Sequence, residues 1–167
     1  MRPKYEHMIA PFAAAAILAA IGGLSVATGR PWLVPSLGTA AFIQTMTPKV
    51  PSARPWNVVV GQLCGLGAGF AGVYVMGAQA APAFASGHPL AWVRITAVAV
   101  AVTITVALQL LLRAENPTGG AVALLLALGA VPPNGQGAGL MLVGIALVSL
   151  LGEAARFTVL KTTTTPL

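Results

Sequence analysis

The sequence predicts an all-α membrane protein on three observations: an apolar, charge-poor composition, four long runs without a charged residue, and two Pro- and Gly-broken segments between them. Of 167 residues, 57% are hydrophobic and 7% charged, against roughly 25% charged in an ordinary soluble chain. A water-facing surface cannot be made from so few charges. Residues 8–29, 57–93, 95–112 and 116–152 contain no Asp, Glu, Lys or Arg. Each run is long enough to span, because about 20 apolar residues cover a hydrocarbon core of about 30 Å.

The first run, 8–29, predicts one spanning helix. Arg2 and Lys4 ahead of an Ala-rich stretch imitate a secretory signal, but the apolar run is long for a signal core. Residues 30–48 follow, too short and too interrupted by proline for one regular helix. Pro31 and Pro35 favour an extended stretch, after which Leu37 to Thr47 suits a helix with Ser36 as its N-cap. Four extended residues at about 3.3 Å and twelve helical ones at about 1.5 Å give roughly 30 Å, one crossing half extended and half helical. A second spanning helix is expected at about 57–79, closed by Pro82, Gly87 and Pro89. A third fills 95–112. A short helical piece at about 117–131 ends at Pro132, Pro133 and Gly135, and a last helix is expected at about 138–160.

The two broken segments look alike. Pro35-Ser-Leu-Gly38-Thr-Ala-Ala41 matches Pro117-Thr-Gly-Gly120-Ala-Val-Ala123, and Pro51 matches Pro133, all at an offset of 82. The chain therefore reads as a single transmembrane domain, 1–167, of two repeats, about 8–79 and 92–160, each a helix, a broken half-helix and a helix. Three crossings per half would invert one repeat relative to the other. With six crossings and both termini in the cytoplasm, Arg2, Lys4, Lys49, Arg54, Arg113, Arg156 and Lys161 lie inside, and Arg30 and Arg94 outside. Re-entrant loops with four crossings would erase that positive-inside bias, so six crossings are preferred. Trp32, Trp56 and Trp92, each two residues from an arginine, suit the aromatic belt. The expected location is a bacterial inner (plasma) membrane.

The net charge of +6 does not predict nucleic-acid binding, because the nine basic residues stand singly at segment ends. Cys64 reads as a small packing residue inside a helix. His7 and His88 lie outside the predicted spans, and no Cys, His, Asp or Glu cluster has metal-ligand spacing. Neither a nucleophile elbow nor a carboxylate pair appears, so neither enzymatic activity nor a cofactor is expected. Gly61, Gly65 and Gly69 recur every four residues, which lets another helix approach closely, from this chain or from a second protomer in a homo-oligomer.

In the inverted arrangement the two half-helices start near mid-membrane with their N-termini facing each other. Free N–H groups and positive dipole ends then converge, which suits a small anion. Ser36, Gly38, Thr39, Thr118, Gly119 and Gly120 would supply donors and close backbone access; the alternative is that these small residues serve only tight packing. Asn57 is a candidate ligand contact or helix cap, and Arg54 an interfacial anchor or vestibule residue. Arg113, Glu115 and Asn116 crowd the approach to the second broken segment, as a loop brace or as a polar gate. Glu153 and Arg156 are expected to pair on the last helix. They lie near the cytoplasmic face, which leaves no carboxylate at mid-membrane for a cation site or proton relay.

Ser36-Leu-Gly-Thr-Ala-Ala followed by Pro48-Lys-Val-Pro-Ser-Ala-Arg-Pro-Trp-Asn-Val-Val-Val-Gly61 resembles the HPP family of small integral membrane proteins. That family carries an S-x-G-A-S/A-A segment followed by P-x-S-x-x-x-P-x-N-V-x-x-G. Asn116-Pro117-Thr118 stands where the family has its naming His-Pro-Pro. The resemblance implies a membrane transporter, with nitrite as the anion associated with plant and cyanobacterial members, and no histidine here for a proton-linked step.

Overall fold

A computed structural model describes residues 6–32, 34–84 and 89–164. The expectations for Arg2, Lys4 and His88 lie outside the described residues. Six α-helices carry the fold: α1 (Glu6–Thr28), α2 (Pro35–Met46), α3 (Pro55–Val75), α4 (Trp92–Leu111), α5 (Pro117–Ala127) and α6 (Gly135–Thr164). A short 3-10 turn, Pro51–Ala53, leads into α3. No strand occurs among the described residues.

Among the described residues four helices are long and apolar enough to cross a membrane: Ile9–Thr28, Pro55–Val75, Trp92–Leu111 and Gly135–Lys161. α2 and α5, with 12 and 11 residues, reach only about 17 Å as helices. Three of the starts are set by proline at the first helical position, Pro35, Pro55 and Pro117, where the missing N–H costs nothing. This moves one expected boundary. α2 begins at Pro35 with Val34 as N-cap and makes no side-chain cap. Ser36 is therefore inside the first turn, and its hydroxyl is free for another role.

Each short helix lies along a long one of the other half. A Cβ at Gly61 or Gly65 of α3 would collide with the start of α5, at Asn116 and Gly119, and one at Gly69 would collide with Leu126 near its end. α5 therefore runs alongside α3 in the same direction. Likewise Gly144 of α6 faces Leu37 and Gly152 faces Gln44, so α2 runs alongside α6 in the same direction. α3 and α6 are antiparallel: Val58 shares an apolar cluster with Val148, and Leu66 shares another with Met141 and Ile145. α1 packs on α2 and α6, α4 on α3 and α5, and α2 meets α5.

The small-residue face of α3 is thus filled by α5 of the same chain. Of the two partners the sequence allows for this face, the same chain supplies one. α4 presents a matching stripe of Arg94, Ala97, Ala101, Thr105 and Gln109, all buried, and Ala97 and Ala101 receive Gly72 of α3. Trp92 and Trp56 are exposed at helix starts, whereas Trp32 is buried and donates from its indole N–H to the Thr28 hydroxyl at 2.6 Å.

Candidate functional site

The two short helices start at the same depth. Leu37 of α2 lies at Gly144, and Gly119 of α5 lies at Gly61 and Gly65. The antiparallel pairing of α3 with α6 places Gly144 opposite the turn of α3 that carries Gly61 and Gln62. From that level α2 runs to one end of the bundle and α5 to the other, with their positive N-terminal ends in the middle.

The negative ends are held by arginines. Arg156 of α6 donates from Nε to the Pro48 carbonyl just past α2, at 2.7 Å. Arg94 of α4 is buried against the far end of α5. Its guanidinium donates to the carbonyls of Ala127 at 3.1 Å, Pro82 at 3.3 Å and Ala81 at 2.6 Å. A buried guanidinium is tolerable because carbonyls at a helix C-terminus are the acceptors that most favour a positive charge.

A cavity of about 490 Å³ lies between Pro35, Gly38 and Thr39 of α2 and Pro117, Thr118 and Ala121 of α5, edged by Leu18 and Phe42. The fold thus brings three of the sequence-expected residues, Gly38, Thr39 and Thr118, to one place. The remaining candidates have other surroundings. Gly119 is pressed onto the backbone of Gly61, and its N–H donates to the Asn116 carbonyl at 3.1 Å. Thr118 gives its N–H to Asn116 Oδ1 at 2.8 Å and its hydroxyl to the same oxygen. Gly120 has open space around its Cα. The α5 N-terminus is therefore capped by Asn116, while that of α2 has no side-chain cap.

Asn116 is a hub. Its Nδ2 donates to the Ser52 carbonyl at 2.7 Å, and Gln109 of α4 brackets its backbone while also donating to the Gly61 carbonyl at 3.0 Å. Asn57 donates to the Glu115 carbonyl at 3.1 Å, so it braces the loop before α5. Arg54 is the exposed N-cap residue of α3, and Arg113 is exposed with φ 50°. Neither lines the cavity between α2 and α5.

Two polar cavities lie at opposite ends of the bundle. One, of about 320 Å³, holds Arg30, Val34, Pro132 and Gln136 before the start of α2. The other, of about 360 Å³, holds Ser52, Gln109, Glu115 and Asn116 before the start of α5. Between them lies Gln62, one turn from Val58 and one from Leu66, where the two apolar clusters meet. Gln62 and Ser36 are fully buried, and neither the Gln62 amide nor the Ser36 hydroxyl has a hydrogen-bond partner. Sequence reasoning assigned none of Gln62, Gln109 and Gln44 to the site. Each is a polar side chain in an uncharged run, which is the available signal. Among the described residues no group of three or more His, Cys, Asp or Glu is placed to hold a metal.

A family model described as HPP, transmembrane region, matches residues 2–165 of the chain. Searches of curated proteins and of solved structures return no match.

Proposed function

The chain belongs to the HPP transmembrane family, and from that premise and the meeting helix ends we infer that it is a transporter or channel for a small inorganic anion such as nitrite. The observation that carries this reading is the start of α2. An uncapped, positive helix end carries the fully buried, unpartnered Ser36 hydroxyl, and Gln62, equally buried and unpartnered, stands on α3 between Val58 and Leu66, whose two apolar clusters Val34 joins just ahead of α2. Leaving such groups unpaired is costly in a protein interior, and a hydrated anion needs donors of this kind when it sheds water. α5 adds the positive end of a second dipole, although its first N–H groups already serve Asn116.

The halves read as inverted repeats. Gly61 and Gly69 correspond to Gly144 and Gly152 at an offset of 83, and each glycine receives the equivalent residue of a short helix: Gly119 or Leu37, Leu126 or Gln44. Contacts pair up in the same way, α1 with α6 and α3 with α4, α2 with α6 and α3 with α5. On this plan the Arg30 cavity opens outward and the Glu115 cavity opens to the cytoplasm, in a bacterial plasma membrane with both termini inside. Rocking of one half against the other would expose the start of α2 to each cavity in turn.

Flux tests the site. Nitrite uptake by liposomes carrying the purified protein is expected to exceed that of empty liposomes, and Ser36→Ala and Gln62→Leu are each expected to slow it about tenfold, the effect of about 1.4 kcal/mol. Unchanged flux in both variants would remove the site. The capped α5 end favours a second reading, a channel for a neutral polar solute, because hydroxyl and amide groups serve such a solute equally well. Displacement of the tracer by neutral solutes and not by anions would select it.

A further inference from the structure

The repeat makes two seams directly comparable, α5 on α3 and α2 on α6. In the first, Leu126 lies on Gly69, with Leu66 and Phe70 beside it in an apolar cluster. At the matching positions of the second, Gln44 lies on Gly152, and Ser149 and Glu153 of α6 stand where Leu66 and Phe70 stand in α3. The architecture is therefore satisfied by leucine and phenylalanine, and nothing in the packing calls for an amide, a hydroxyl and a carboxylate.

Each of the three residues holds a buried polar atom without a partner. Gln44 is fully buried with both amide atoms unpartnered, and Ser149 Oγ and Glu153 Oε2 are buried without a partner. Glu153 Oε1 alone is engaged, by Arg156 at 2.7 Å, and the same arginine holds the Pro48 carbonyl at the end of α2. Ser149 and Glu153 stand one helical turn apart and flank the glycine on which the Gln44 amide rests. An ionisable group kept in a membrane helix bundle beside unsatisfied polar partners marks an ion or proton site.

We propose that this α2–α6 seam is a proton-binding site, in which Glu153 Oε2 takes a proton from water and passes a hydrogen bond to Gln44 Oε1 or Ser149 Oγ. The proton is the ion coupled to anion movement, a second half of the proposal that rests on the anion reading above. A metal cation fits poorly. Hard cations take about six oxygen ligands, whereas the seam offers three side-chain oxygens next to a guanidinium. A proton needs one oxygen and one acceptor. α2, α3 and residues 9–28 of α1 carry no Asp, Glu, Lys or Arg; Arg156 pairs with Glu153, and Lys49, Arg54 and Lys161 are exposed charges toward the same end of the bundle. Protonation removes the carboxylate that orients Arg156, and Arg156 holds one end of α2. The opposite end of that helix, about 18 Å away, is the proposed anion site, so proton and anion act on one rigid rod.

Infrared difference spectra of the full chain in lipid nanodiscs, acidic against neutral pH, test the proton site without reference to transport. A carboxylic-acid carbonyl band is expected, lost in Glu153→Gln and shifted in Gln44→Leu, the residue that the other seam already accommodates. A band that persists unchanged in Glu153→Gln overturns the site. In proteoliposomes, with protein-free vesicles subtracted, an inward proton gradient is expected to speed nitrite uptake several-fold, and Glu153→Gln is expected to transport at a rate indifferent to the gradient. Wild-type uptake that ignores the gradient overturns the coupling. A Glu153 band in a protein that moves no anion supports the proton site and removes the anion reading alone.

Discussion

Gly119 and Gly120 are neighbours in a run of small residues, yet the fold asks opposite things of them. A methyl group at Gly119 would run into the Gly61 carbonyl and the Gln109 amide, whereas one at Gly120 meets nothing within 4 Å. Gly119→Ala is expected to cost about 3 kcal/mol by forcing α3 and α5 apart. Gly120→Ala should leave stability unchanged or raise it by up to about 1 kcal/mol, and thermal unfolding in detergent distinguishes the pair. Arg94 supports a second prediction. Its replacement by Ala strands three carbonyls that now share one guanidinium, at about 3 kcal/mol. Arg94→Lys recovers only part of this, since an ammonium lacks the planar fork, and the same unfolding assay ranks the three proteins. Neither role was legible in sequence. Adjacent glycines are identical as letters, and Arg94 beside Trp92 looks like an interfacial anchor until α5 is seen to end against it.

The short helices differ in how they begin. α5 is capped by the Asn116 side chain, which also reaches the Ser52 carbonyl, whereas α2 has no such cap. Asn116→Ala is expected to lower stability by about 1 to 2 kcal/mol. Asn116→Asp keeps the acceptor for the Thr118 N–H and should fall between it and the wild type in equilibrium unfolding. The existence, order and approximate bounds of all six helices were legible because prolines and charges punctuate an apolar chain. The cap assigned to Ser36 was not, because Pro35 is itself a good first helical residue and moves the start back by two positions. That shift turns a capping hydroxyl into a buried one, and the shift could not be read without the neighbouring helices.

At the scale of the molecule, the inverted plan proposed above predicts which loops face which side. With Cys64 replaced by Ala, a cysteine at Lys49 is expected to react with an impermeant reagent only from the cytoplasm, and one at Trp92 only from outside. Labelling of Lys49 only from outside and of Trp92 only from the cytoplasm would require re-entrant segments. The apolar class of the protein followed from composition, whereas the polar seam on α6 did not, because Ser149 and Glu153 acquire their meaning only when Gln44 is laid across Gly152. The same crossing of halves bears on how the chain is made. α2 leaves the ribosome early, but the surface that covers Leu37 and Gln44 comes from Gly144 and Gly152 of α6, about two thirds of the chain later. During synthesis the buried stripe of α2 has α1, the Pro51–Ala53 turn and later α5 beside it, but not α6, so the first half cannot complete its packing by itself. Biogenesis must hold a half-inserted segment with a polar stripe in the translocon or at its lipid boundary until the last helix arrives, and a truncation before α6 should be a substrate for membrane quality control.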